Sequence, residues 1–423
     1  MPYNTRVDNA DIERIAAWVV KQALAGTGEA DLLRGFCEEC RPTCLNLSTA
    51  VAAIDTLHPV YEGRAFVWRN DGAEEIVEYG STAEGEAAAN WHKSIFFHLL
   101  TTGADEMRRR IGRGDPTDFE TLEELEAEGE TDYIGFVHRF AKDNVIGEID
   151  CVYSHWTTRH PEGFCDASLT ALRKLVPTLA LGIKCASLAR IAGTLVEVYL
   201  GRDAGQRVLS GRISRGVAER INAVLWFSDL RGYTTIADTT SPDEIIPLLN
   251  DYAEAVISSI HQAGGDVLKL IGDGVLAVFN AADPGESCRW ALRAEAELRS
   301  KIETLNAKRL SNGRPVSTVY LGLHIGDVFF GNIGSDERLD FTVVGPAVNE
   351  VSRIASMCRS VDRPIVVSSE FAEATPQPER ANLVSVGRYA LRGVARAQEL
   401  FTLDPGIPTR RPTEPLTSAA SNT

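Results

Sequence analysis

The chain has 423 residues, long enough for two or three domains that each bury a core of their own. Its 59 Asp and Glu outnumber 43 Lys and Arg, for a formal net charge of −16, which argues against nonspecific nucleic-acid binding because that depends on Lys and Arg neutralising phosphates. Eight cysteines spread over this length fit reduced thiols rather than a disulfide scaffold. The first 20 residues lack a basic leader followed by an apolar core, and no run approaches the ~20 apolar residues that cross a bilayer. The expectation is a cytoplasmic protein with no membrane span and no nucleic-acid partner.

In chain order, residues 11–33 carry Ile12, Ile15, Trp18, Val19 and Ala23 at helical spacing, so the chain opens with helices. Cys37, Cys40 and Cys44 follow at an irregular spacing with no second Cys or His pair beside them, and they read as half-buried thiols rather than a metal site. Residues 60–68, 75–79, 133–140 and 147–155 read as strands, with a helical stretch at 85–100. Nine acids and no basic residue fall between Asp115 and Asp132, the pattern of a solvated insertion. In residues 166–200, Leu169, Leu172, Val176, Leu179 and Ile183 recur at three and four. Pro177 removes a backbone donor there and predicts two helical segments, the second striped by Leu188, Ile191, Leu195 and Val198. This order resembles a GAF-type sensory domain, in which a mixed sheet is flanked by helices and the last helix leaves toward an effector. The resemblance implies a small-molecule or other signal. His98, His138, His155 and His160, with Trp68, Trp91 and Trp156, have ligand-binding chemistry, but a histidine in an apolar strand is more often a core or surface side chain than a ligand. Residues 199–220 hold Gly201, Gly205, Gly211 and Gly216 among five arginines and form the natural joint. Residues 404–423, rich in Pro, Thr and Ser, read as a disordered tail.

The apolar run Val224-Leu225-Trp226-Phe227 ends abruptly at Ser228-Asp229, which places a carboxylate at the end of a buried strand. Gly232 and the Thr234-Thr235 pair then turn the chain into the helix carrying Ile245, Leu248, Leu249 and Tyr252. The amides of Gly232, Tyr233 and Thr234 at that helix start favour phosphate. A second acid stands in Gly272-Asp273-Gly274, between the β-rich runs 267–271 and 275–279, so Asp273 sits at a hairpin tip. Taken alone, that turn is only a turn. Paired with Asp229, it points to metal-nucleotide chemistry.

These blocks resemble the class III nucleotidyl cyclases. The first family motif matches Phe227-Ser228-Asp229-Leu230-Arg231-Gly232-Tyr233-Thr234 and the second Lys269-Leu270-Ile271-Gly272-Asp273; the third matches Asp340-Phe341-Thr342 through Val348-Asn349-Glu350-Val351-Ser352-Arg353. The resemblance covers roughly residues 221–403 and implies a ferredoxin-like α+β catalytic domain there. Before it would stand a GAF-like mixed α/β domain at 1–165 and a helical transducer with a Gly/Arg linker at 166–220. It further implies that Asp229, Asp273 and the carbonyl of Leu230 hold two ions per site, Mg²⁺ or Mn²⁺ by their oxygen ligands. By the same resemblance Asn349 orients the ribose, Arg353 stabilises the α-phosphate, and Arg392, in place of a common Lys, contacts the terminal phosphates. Lys269 donates to adenine N1, and Thr342, a common bacterial variant, accepts from the exocyclic amine, so the resemblance favours ATP over GTP. Lys269 and Asp273 lie roughly 13 Å apart along one hairpin, and the family arrangement resolves this with a head-to-tail homodimer whose active sites lie at the subunit interface. A guanylate cyclase and a catalytically silent cyclase-like module are the alternatives.

Overall fold

The computed structural model describes residues 7–140, 146–147, 149–392, 394, 397–404 and 406, in two units, Met1–Leu195 and Val196–Thr423. The tail expected at 404–423 lies almost wholly outside the described residues.

The first unit opens with helices α1 (Asn9–Leu24) and α2 (Glu29–Cys40). Then come β1 (Thr49–Asp55), β2 (Gly63–Arg69), β3 (Glu74–Tyr79), α3 (Gly85–His92), α4 (Ile95–Thr102), β4 (Glu106–Arg109), α5 (Glu120–Ala127), β5 (Asp132–Arg139), β6 (Cys151–Thr158) and α6 (Asp166–Leu200). The sheet order is β3-β2-β1-β6-β5-β4, and each pairing is antiparallel, not mixed as expected from sequence. Period-two alternation divides its side chains between two cores. Ile134 and Phe136 of β5 join Trp156, Phe36 and the α6 residues Leu172 and Leu175 on one face. Tyr133 and Val137 join Ile95, Leu99 and Leu122 on the other.

Four expectations need correction here. The stretch 85–100 is two helices, because Ser94 caps α4 by accepting from the Phe97 amide at 3.1 Å. Helix α6 runs unbroken through Pro177. A proline in a helix interior costs about 3 kcal/mol, and burial of Leu175, Val176, Leu179 and Ile183, each worth about 1.5–3 kcal/mol, offsets it. By length and composition α6 is also apolar enough to cross a membrane, although its buried stripe is used in the unit's own core. Finally, the acidic segment is not a plain solvated insertion. Leu122 and Leu125 of α5 are buried, Arg109 and Arg110 pair with Asp118 and Asp115, and fully buried Asp132 takes a bidentate contact from Arg108 at 3.1 and 2.5 Å.

The second unit contains α7 (Arg202–Leu209), β7 (Ala218–Leu230), α8 (Tyr233–Thr239), α9 (Pro242–Gln262), β8 (Asp266–Ile271), β9 (Gly274–Phe279), α10 (Pro284–Ser311), β10 (Val319–Gly334), β11 (Leu339–Val344), α11 (Pro346–Val361), β12 (Ile365–Ser368), α12 (Ser369–Ala374), β13 (Leu383–Tyr389) and β14 (Gln398–Leu403). Its eight-stranded sheet runs β13-β14-β12-β10-β7-β9-β8, with β11 on β10. Strand β7 is central and pairs with β10 from Ala218 to Leu230. Val224 and Trp226 face a core under α9 and α10, whereas Ala223 and Leu225 face a second core with Phe330, Phe341 and Val351. The joint expected at 199–220 is partly structured: Ala204 on α7 is buried in that second core, and the Asn332 side-chain amide donates to the Arg212 carbonyl at 2.7 Å. One helix was expected after Gly232; there are two, α8 and α9, with Pro242 opening the second.

Candidate functional site

Asp229 occupies the next-to-last position of β7, and Val224, Leu225 and Trp226 before it are fully buried. The β8–β9 hairpin turns on Gly272 and Asp273, with Ile271 paired to Gly274. Gly272 takes φ +64, a left-handed conformation that glycine adopts without steric cost. Because β9 pairs with β7, with Ser228 opposite Val275, the turn closes against the end of β7. There the Leu230 N–H donates to Asp273 Oδ2 at 3.1 Å, and the two carboxyl groups, 44 positions apart in sequence, line one cavity. Partial desolvation, then the hydrogen bond and charge of Asp273, push the Asp229 carboxyl up to about 7. Two acids so close cannot both ionise cheaply unless a cation lies between them. The donors are hard oxygens, which suit Mg²⁺ or Mn²⁺ over softer metals. A cavity of about 200 Å³ opens beside the pair, walled by Ile246, Leu249, Asn250 and Leu270.

Gly232, at φ +71, delivers the chain into α8. The first intrahelical bond runs from the Ile236 N–H to the Gly232 carbonyl at 3.1 Å, so the amides of Tyr233 and Thr234 precede it. Tyr233 packs against the core and Thr234 is exposed.

Helix α11 carries Asn349 and Arg353 one turn apart on one face, while Val351, Ile354, Ala355 and Cys358 are buried. Pro346 opens the helix after Gly345 at φ +152. Its seating on β10 depends on Gly322, where a Cβ would lie 2.6 Å from the Ala355 nitrogen and 2.7 Å from the Val351 carbonyl oxygen. Lys269 on β8 is exposed and ion-paired to Asp340 on β11. Thr342 lies two residues beyond Asp340, opposite Gly331. Arg392 is exposed in a turn. Thus the structure brings Asp229, Leu230 and Asp273 together at one end of the β8–β9 hairpin and sets Lys269 on β8 beside the strand that carries Thr342. Sequence reasoning missed Asp340 as a partner. Its signal was present: a charged residue alternating with Phe341 and Val343 shares the outer face of the strand with Thr342.

In the first unit the sensor candidates are dispersed. His98 stacks edge-on to Phe119, His138 is held below its ordinary range by burial, and His155 is pushed down to about 4 between Tyr133 and Phe96. His160 Nδ1 accepts from the Glu162 amide at 3.3 Å. Trp68 and Trp156 are core residues, and Trp91 lines a cavity of about 380 Å³ with Asp55, Glu62, Tyr79 and Tyr153. Cys37 and Cys40 are buried, and desolvation raises both thiols. Among the described residues no group of three His, Cys, Asp or Glu is placed to hold a metal.

Residues 217–404 match the adenylate and guanylate cyclase catalytic domain. The match covers less than half of the chain, the part that holds Asp229 and Asp273. An adenylate cyclase of Anabaena cylindrica is 33% identical over 175 residues, 40% of this chain and 34% of that protein. Adenylate cyclase 1 of Rhizobium meliloti is 28% identical over 186 residues, 43% of this chain and 27% of that protein. The chain therefore spans about a third or less of the length of these relatives. The crystal structure of the adenylyl cyclase CyaB from P. aeruginosa aligns with a TM-score of 0.42 at 23% identity, over 46% of this chain and 98% of that one.

Proposed function

We propose that the chain is an adenylate cyclase that converts ATP to 3′,5′-cyclic AMP and pyrophosphate. The observation that carries the reading is the convergence of Asp229 and Asp273 from two separate motifs onto the end of β7, where both line one cavity and Asp273 accepts from the Leu230 N–H. In the reaction the ribose 3′-oxygen bonds to the α-phosphorus, the bond to the pyrophosphate oxygen breaks, and the hydroxyl proton is released. Divalent ions at such a carboxylate pair supply charge stabilisation for the attacking and leaving oxygens and lower the pKa of the hydroxyl. Asp229, Asp273 and the Leu230 carbonyl would hold two such ions, Mg²⁺ or Mn²⁺. The α8 amides at Gly232, Tyr233 and Thr234, with Arg392, would bind the terminal phosphates. Arg353 presents a planar donor fork to the α-phosphate, and Asn349, one turn earlier, orients the ribose. Lys269 and Thr342 read adenine as donor and acceptor, which favours ATP over GTP.

The reading places these groups in a head-to-tail homodimer, with Asp229 and Asp273 from one protomer and Lys269, Thr342, Asn349 and Arg353 from its partner. In support, Lys269 is engaged with β11 while Asp273, at the tip of the same hairpin, is engaged with Leu230. We also infer that the first unit is a GAF-like sensory domain that sets the rate, supported by its own antiparallel sheet with a core on each face. The test is product analysis: with Mg²⁺ or Mn²⁺ the chain makes cyclic AMP from ATP in preference to cyclic GMP from GTP, and Asp273→Ala abolishes nearly all turnover. Undiminished turnover in that variant refutes the assignment of Asp273.

A further inference from the structure

Lys269 follows a β-bulge. Val267 pairs with Ala277 and Lys269 with Leu276, so Leu268 is an extra residue on its strand. A bulge re-aims the side chains beyond it, and here Leu268 is buried while Lys269 is exposed. The re-aimed ammonium pairs with the Asp340 carboxylate on β11. On that strand Phe341 and Val343 are buried in the core, and Asp340 and Thr342 lie together on the other face, one strand repeat apart, about 6.6 Å. A single ionic contact therefore holds the end of Lys269 one pleat away from Thr342.

We propose that Asp340 is a positioning residue for base selection: it holds the Lys269 ammonium beside Thr342, so that the two present a donor and an acceptor to the nucleotide base as one edge. This rests on the reading of Lys269 and Thr342 as the base-contacting pair. The ammonium has three N–H donors; one engages Asp340 and two remain for a ring nitrogen, so the carboxylate orients the group without using it up. The four-carbon stem of Lys is flexible, and without Asp340 it sweeps through solvent in geometries that do not meet the base. The contact is partly exposed, so its effect is modest. It acts on the bound base rather than on the phosphate, and therefore appears in KM and in base choice more than in kcat.

The test is steady-state kinetics of the full-length chain with ATP and with GTP for Asp340→Ala, Asp340→Glu, Lys269→Ala and the Lys269→Ala/Asp340→Ala double variant. Asp340→Ala should raise KM for ATP about three- to tenfold, lower kcat by less than that factor, and reduce the preference for ATP. Asp340→Glu should restore most of both, and Asp340→Ala should add nothing once Lys269 is gone. Asp340→Asn, equal in size, replaces the alanine variant if the latter has a lowered melting temperature. If Asp340 variants keep wild-type KM and preference while Lys269→Ala shifts them, or if the effect of Asp340→Ala persists without Lys269, the positioning role is refuted and the base-reading role of Lys269 stands. If Lys269→Ala itself leaves KM and preference at wild-type values, base reading fails, and the positioning role fails with it.

Discussion

Gly322→Ala is the smallest change that should move the candidate catalytic helix. Gly322 lies on β10 directly beneath α11, and the added methyl carbon would stand 2.6 Å from the Ala355 nitrogen, 2.7 Å from the Val351 carbonyl oxygen and 2.9 Å from the Ala355 Cα. All three are backbone atoms, so no rotamer change relieves the overlap, and the helix itself must retreat. Reaching ordinary contact near 3.4 Å requires a shift of about 0.8 Å. Overpacking of this kind costs about 1–3 kcal/mol, which for a unit of this size lowers Tm by about 3–10 °C. Asn349 and Arg353 ride on the same helix, and a misplacement near 1 Å costs up to about 100-fold in rate. The variant should therefore remain folded at 25 °C while kcat falls by about tenfold or more. Differential scanning calorimetry and initial-rate measurement of nucleotide cyclisation are the assays. Wild-type Tm with wild-type kcat would show that α11 does not depend on this close approach, and a lowered Tm with unchanged kcat would show that its position does not control Asn349 and Arg353.

Four further outcomes follow from the structure. Because Asp229 is raised in the metal-free fold to about 7, its stabilising contribution is fully present below the unfolded value near 4 and is lost as pH rises through about 7; denaturant midpoints in EDTA should fall between pH 5 and 7.5 by more in the wild type than in Asp229→Asn, and equal slopes would refute the shared-proton pair. Addition of Mg²⁺ in that window should release protons, measurable with an indicator dye, and Asp229→Asn should release fewer. Lys269→Glu with Thr342→Cys should unpair the adenine edge and cut ATP preference by up to ~10⁴-fold, whereas an unchanged ATP/GTP ratio would remove both from base reading. Because Ala204 of α7 is buried in the second unit's core, a chain beginning at Val196 should cyclise ATP with an altered basal rate, and one beginning at Gly211 should be less stable by thermal melt; equal melting temperatures would show that α7 adds nothing to the unit.

The carboxylates were legible in the sequence because each closes a local pattern: a buried apolar run stops at Asp229, and a Gly-Asp-Gly tip separates two β-rich runs. What escaped is non-local or works against intrinsic propensity. Strand β1 is central and buried, yet three of the seven residues in Thr49-Ala50-Val51-Ala52-Ala53-Ile54-Asp55 are alanine, which weakens its strand signal. Edge strand β4 is four residues long with three charges. Pro177 signals a break locally, but the packing of its neighbours overrides it. The glycines and arginines of 199–220 read as a solvated joint, and only the fold shows Ala204 buried in the same core as Phe330. The bulge before Lys269 leaves no local mark either, since it exists only relative to β9, and so the contact with Asp340 had to await the three-dimensional arrangement.

The composite site is tested most directly by mixing two inactive proteins. Asp273→Ala lacks a carboxylate of the proposed metal pair, and Arg353→Ala lacks the arginine proposed to bind the α-phosphate. In a head-to-tail dimer of one of each, one site has lost both residues and the other is complete. With random subunit exchange about half of the dimers are mixed, so cyclic AMP formation from ATP should return to about a quarter of the wild-type rate. No recovery, with exchange demonstrated independently, would contradict a site shared between two protomers.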